Sequence, residues 1–349
     1  MSKEFIPNYQ NVVNAAFNKK SDRLALHELS IGSTHLNNAA GFNLWSLMDE
    51  GTLEGRRKFY KEYALAFKNL GFDTVNSLGS LMGFFNNCKS LKGEEPGPIQ
   101  CRADYEKFDF DSIPEKFMKE YKETFSLMAE TLPEGMKAIG GIGGSSFELM
   151  QDAVGFTEMC MMSMDDPELY TELYQKIGDT LVKSWQLFVD EFDDAFCVYR
   201  MSDDLGFKTG TLISPDDIKT HIIPQYKRII DVVHSVNKPF VLHSCGCIFD
   251  VMDDLINIAG IDAKHSNEDA IAPFSEWVNR YGDKIGNFGG IEMNVLALET
   301  PEFIEKYTRE VIEYSIGHGG FALGSGNSLV DSMPIENYQA VLKVVEEYR

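Results

Sequence analysis

The chain has 349 residues, 44% of them hydrophobic and 25% charged, a length and balance that suit one large globular domain with a sizeable core. Its 54 acidic residues oppose 32 basic ones, and the formal charge of -22 repels a nucleic-acid backbone or an anionic membrane and disfavours polyanionic substrates. No apolar run reaches the roughly 18 residues that span a bilayer. The opening Met1-Ser2-Lys3-Glu4-Phe5 also lacks the charged, apolar and small-residue succession of an export signal, so a cytoplasmic location is expected.

Eight β-rich runs alternate with amphipathic stretches along the chain. They are Leu24–Leu29, Asp73–Leu78, Met136–Gly141, Phe196–Met201, Pro239–His243, Ile261–His265, Ile285–Gly289 and Phe321–Leu323. With no internal repeat and no linker rich in Pro, Gly or Ser, the pattern predicts an α/β fold. It is a single (β/α)8 TIM barrel over residues 1–349, with an N-terminal helical extension. Between the second and third runs, Asn86–Asp111 reads as a long acidic-aromatic insertion loop, either a lid or surface decoration. Ser214-Pro215-Asp216-Asp217 opens a helix whose apolar face carries Ile218, Ile222, Tyr226, Ile229, Val232 and Val233. Pro301-Glu302-Phe303 opens another, with Phe303, Tyr307, Val311 and Tyr314 on one face until Gly317 and Gly319 end it. Ile335–Tyr348 closes the ring.

In such a barrel, chemistry belongs at the C-terminal ends of the strands. The fifth run ends in His243-Ser244-Cys245-Gly246-Cys247, an imidazole and two thiols on one short turn, which is the ligand chemistry of zinc. Glu268, beyond the neighbouring strand, and Glu148, after a glycine-rich strand end, are candidate oxygen ligands. Asp203 and Asp204 form an acidic pair after the fourth run, suited to holding a proton or orienting a ligand, with one of the two expected to face inward. His265 and Asn327 stand at the same rim as candidate substrate contacts. Six scattered cysteines argue against a disulfide framework. Met159–Met164 reads as core packing rather than a soft-metal box. Gly140-Gly141-Ile142-Gly143-Gly144 lacks a P-loop lysine and marks close backbone approach, and no Gly-x-Ser-x-Gly elbow supports serine-hydrolase chemistry.

The segments Asp203-Asp204-Leu205-Gly206, Leu212-Ile213-Ser214-Pro215, Lys238–Gly246, Gly289-Gly290-Ile291 and Gly324-Ser325-Gly326-Asn327 resemble the uroporphyrinogen decarboxylase superfamily, from about Phe196 onward. The His-x-Cys resembles its zinc-dependent corrinoid methyltransferases, of the methylcobamide:coenzyme M and O-demethylase types. That resemblance implies zinc on His243 and Cys245, a corrinoid carried by a partner protein, and methyl transfer to or from a small substrate. The later cysteine ligand of the thiol-activating members is replaced here by Gly324-Ser325-Gly326-Asn327, leaving Glu268, Glu148 or Cys247 to complete the set. A less thiolate-rich zinc suits oxygen over sulfur, so an aryl methyl ether is expected ahead of a methylthiol, with Trp45, Phe84 and Phe85 as candidate pocket residues. The alternatives are a metal-free decarboxylase and a non-catalytic ligand- or corrinoid-binding barrel. The arginine motif that grips porphyrinogen carboxylates in true decarboxylases is missing, because Glu28–His35 contains no arginine.

Overall fold

The computed structural model describes residues 5–349, so the opening Met1–Glu4 lies outside the described residues. All eight expected strands form: β1 (Ala25–Leu26), β2 (Thr74–Ser80), β3 (Lys137–Gly143), β4 (Phe196–Ser202), β5 (Phe240–His243), β6 (Ala263–His265), β7 (Gly286–Ile291) and β8 (Phe321–Ser325). They pair in parallel in the order β1-β8-β7-β6-β5-β4-β3-β2, with helices around them, which is a (β/α)8 barrel. Among the described residues the β1–β2 seam carries no ladder. There the Asn76 amide donates instead to the carbonyl oxygens of Glu28 at 2.9 Å and Leu29 at 3.3 Å. The run at Leu24–Leu29 contributes only a two-residue strand, and just beyond it the Glu28 carboxyl accepts from Ser325 N at 2.9 Å and Tyr338 Oη at 3.1 Å.

Two cores follow from the alternation of strand side chains. The inner one gathers Ala25, Ile139, Val198, Val241, Ala263, Phe288 and Ala322, and its floor is plugged by Val12, Ala15 and Ala16 of the N-terminal helix Gln10–Ala16. The plug sits so close that a Cβ at Gly320 would lie 2.0 Å from the Ala15 carbonyl oxygen, which only glycine permits. The outer core packs Phe125, Phe188, Phe192 and Phe196 in edge and tilted contacts between the sheet and its helices. Sealing the bottom leaves the C-terminal mouth as the open end.

Three local readings are corrected. Asn86–Asp111 is not structureless. Its helix Arg102–Tyr105 and the 3-10 turn Phe110–Ser112 pack by Phe110, and Asp152 accepts the Asn86 and Cys88 amides at 2.8 and 3.0 Å. In the helix Pro301–Ser315, Ile304, Thr308, Ile312 and Ser315 are buried, whereas Phe303 and Tyr314 are exposed. The large-residue stripe misled because the face toward the sheet is set by small and branched residues. Within Met159–Met164, Met159 and Met162 are buried and Met161 and Met164 exposed, as one helical face requires. Among the described residues no helix is long and apolar enough to cross a membrane.

Candidate metal centre

Strand register builds the centre. Ser202, the last residue of β4, pairs with His243, the last of β5, and His243 pairs with His265, the last of β6. The turns that follow β4 and β5 therefore run side by side. They cross so closely that a Cβ at Gly246, where φ is +84°, would lie 2.0 Å from the Gly206 carbonyl carbon. That crossing brings Asp204 to Cys245, whose backbone N–H donates to Asp204 Oδ1 at 2.9 Å.

Asp204, His243 and Cys245 offer one oxygen, one nitrogen and one sulfur, all within 4.8 Å of one another. His243 Nε2 is 3.4 Å from Cys245 Sγ and 3.6 Å from Asp204 Oδ1. Tetrahedral zinc, with bonds of about 2.0–2.3 Å, holds its ligand atoms about 3.3–3.7 Å apart, so the donor set fits the ion in type and the two separations from His243 Nε2 fit it in spacing. The imidazole is aimed by a relay. His265 Nε2 lies 3.0 Å from the Ser325 carbonyl oxygen, which can only accept, so that nitrogen carries the proton. His265 is neutral, its pKa driven down to about 3 by burial, and its Nδ1 therefore accepts from His243 Nδ1 at 2.8 Å. His243 Nε2 is left with a free lone pair facing the thiol and the carboxylate, the outer-shell arrangement that orients metal-binding histidines. Burial, and then the neighbouring basic side chains His265, Arg200 and Lys264, hold the His243 imidazole well below the usual histidine range. Burial first, and the Asp204 charge second, raise the Cys245 thiol to about 12, so metal binding and thiol deprotonation are coupled. Asn327 donates from Nδ2 to Cys245 Sγ at 3.2 Å.

The remaining nominated residues separate from this group. Asp203 is buried and caps the helix Ser146–Val154, accepting the Phe147 and Glu148 amides at 2.9 and 2.8 Å and the Tyr226 hydroxyl at 2.5 Å. Glu148 sits behind it, where burial and the charges of Asp203 and Asp204 push its carboxyl strongly towards the protonated form. Glu268 pairs with Lys208 at 3.3 Å and stands outside the donor group, as does Cys247. His265 serves the relay. Trp45 and Phe85 pack on Phe59 and Phe108. Adjacent to Cys245 lies a cavity of about 210 Å³ that Asn267, Glu268, Glu292, Asn294 and Asn327 also line. The signal overlooked in the sequence is strand adjacency: residues just after β4 must meet residues just after β5.

A parallel eight-stranded barrel with a nitrogen, sulfur and oxygen donor set at its C-terminal mouth is an enzyme-family fold with a candidate metal centre. The profile described as uroporphyrinogen decarboxylase (URO-D) matches residues 93–348, and the chain belongs to that family. A curated relative, a uroporphyrinogen decarboxylase from Pelobacter propionicus, is 22% identical over 259 residues, 71% of each chain. Among solved structures, a methyltransferase from Methanosarcina mazei aligns with a TM-score of 0.72 at 17% identity, covering 97% of this chain and 98% of its own. A putative vitamin-B12 independent methionine synthase from Listeria monocytogenes aligns at 0.51 and 15% identity, covering 93% and 98%. At these identities the structural likeness speaks to the fold.

Proposed function

We propose that the protein is a zinc-dependent methyltransferase that moves a methyl group between a small substrate, an aryl methyl ether ahead of a methylthiol, and a corrinoid carried by a partner protein. One observation carries the reading: three donors of different type converge within 4.8 Å of one another, with the imidazole aimed by His265. Zinc held by His243, Cys245 and Asp204 would supply a Lewis acid for the substrate heteroatom. The single thiolate in this set makes it harder than a two-thiolate site and favours oxygen. Asn327 steadies the sulfur by its amide hydrogen bond. A partner's corrinoid, reduced to its nucleophilic cobalt(I) state, would supply the electron pair that takes the methyl, while the ether oxygen would keep the C–O bond pair and need a proton from this chain. Glu148, protonated at neutral pH behind Asp204, is the proton store that the chain offers there.

The cavity beside Cys245, about 210 Å³, suits one ring, given that a cavity of about 150 Å³ accepts benzene. Decarboxylation is the second reading, favoured by the family profile and the curated relative. The small cavity and the arginine-free Glu28–His35 segment weigh against a tetrapyrrole. Zinc analysis joined to a spectral assay of cobalamin methylation, over a panel of methyl ethers and methylthiols, tests the reading. About one zinc per chain and methyl transfer lost in H243A and C245S are expected. Metal-free turnover of uroporphyrinogen that survives H243A would overturn it in favour of decarboxylation.

A further inference from the structure

Beneath the candidate metal centre the barrel holds a charge with nothing among the described residues to pair it. Side chains alternate along β4, so Arg200 shares the inward face of Val198, a member of the inner core. It is 2% exposed, and its Nε and Nη1 are buried with no hydrogen-bond partner. Among the described residues no carboxylate offsets the guanidinium, and the one neighbour that favours its charge is the Tyr63 phenol. Across the interior, His27, the residue that follows β1, is 1% exposed, and both its ring nitrogens lack partners among the described residues. Its ring stands edge-on to His265 at 5.3 Å, which places it directly beside the relay.

An unpaired buried ion costs several kcal/mol, and arginine has no accessible route to shed its charge at neutral pH. A barrel that keeps one there has already met the desolvation cost of an anion receptor. The register locates it: Arg200 pairs with Val241 and Ser202 with His243, so Arg200 roots two residues, about 6–7 Å, below the His243 level. We propose that Arg200 and His27 form a receptor in the barrel interior for the carboxylate of a small acidic substrate. The acid's far end then reaches up to the mouth beside His243 and Cys245. The guanidinium fork matches a carboxylate bidentately, and the neutral imidazole adds one N–H. A single carboxylate met locally is compatible with the overall charge of -22, which repels polyanions at long range. This assignment of the acid as substrate rests on the methyl-transfer reading.

The test uses the zinc-loaded protein and the variants Arg200→Met, Arg200→Lys and His27→Gln. Each is titrated calorimetrically with 4-methoxybenzoate, with its neutral isostere 4-methoxybenzamide and with sulfate, and melted without ligand. Wild type is expected to bind the acid at least about tenfold more tightly than the amide. R200M is expected to lose about 10–100-fold of that affinity while its own melting temperature rises, since a buried charge has been replaced by an apolar chain. R200K should fall between, and keeps the test open if R200M does not fold. A purely structural arginine would lower the melting temperature and leave acid binding unchanged, which overturns the proposal. So does the absence of saturable acid binding, and so does sulfate binding as tightly as the acid, which marks a free-anion site. Cobalamin methylation separates the two ideas. Arg200-dependent binding without methyl transfer refutes the activity and keeps the receptor, whereas equal methyl transfer from acid and amide in wild type and R200M does the reverse.

Discussion

Replacing Asp204 by asparagine probes the centre at its least expected ligand. Asp204 Oδ1 is 3.6 Å from His243 Nε2 and also accepts the Cys245 amide at 2.9 Å. Asparagine keeps a carbonyl oxygen for that amide, so the turn is preserved while the anionic ligand is lost. Two effects then oppose each other. Outer-shell partners of metal ligands are worth about 10–100-fold in affinity, so loss of a direct ligand should cost at least about 1.4–2.7 kcal/mol. Against this, the Cys245 thiol is freed from the Asp204 charge and gives up its proton more easily. Burial is the larger cause of its high pKa and is unchanged, so the net expectation is loss. In competition with a chromogenic chelator, D204N should bind zinc at least about tenfold more weakly. E268Q and E148Q should match wild type. A D204N protein with wild-type affinity, beside an E268Q protein that has lost it, would refute the assignment and move the third ligand to the turn after β6.

His265→Gln breaks the relay that fixes the His243 tautomer, and should weaken zinc by about 10–100-fold with stoichiometry restored at saturating metal. Unaltered affinity would mean that His243 is oriented without its neighbour. Asp203→Asn turns an amide N–H toward a helix cap that needs an acceptor, and should cost about 1–3 kcal/mol in urea unfolding with no change in zinc affinity. Loss of zinc at unchanged stability would show that Asp203, not Asp204, is the ligand. Burial raises Glu28 from 4.5 to about 7 against the hydrogen bonds of Ser325 and Tyr338. A carboxyl raised in the folded state favours folding when protonated, so its contribution is complete below pH 4.5 and is lost as pH rises through about 7. The loss is roughly 3 kcal/mol at most. Glu28→Gln should flatten this part of the stability profile in denaturant titrations, and an unchanged slope would assign it to another group.

Much of the fold was legible because burial on both faces of a parallel strand leaves a mark that survives in one dimension. Each β-rich run from Leu24 to Leu323 became a strand, with ends moved by a residue or two, and by three at Leu29, where ladder hydrogen bonds started or stopped. Helix faces were less legible. Ile218, Ile222 and Tyr226 are buried as expected, yet the helix at Pro301 turns Ile304 inward and Phe303 outward, because the neighbouring sheet selects the face. In the site, ligand type was readable in His243-Ser244-Cys245, since zinc selects nitrogen and sulfur whatever the fold. The carboxylate partner was not. Asp203 and Asp204 look alike in sequence, and only the crossing at Gly206 and Gly246 turns one to a helix N-terminus and the other to the thiol.

The sequence by itself determined the alternation of strand and helix, the absence of an apolar span and the imidazole–thiol pair, because each is a local matter of residue type and spacing. Tertiary structure decided which side chains meet. The pairing of β4 with β5, and of β5 with β6, put Asp204, His243, Cys245 and His265 together, and left Arg200 in the interior without a counter-charge among the described residues. Contacts between residues about 20 to 60 positions apart depend on strand register, and register is set by the packing of the whole barrel.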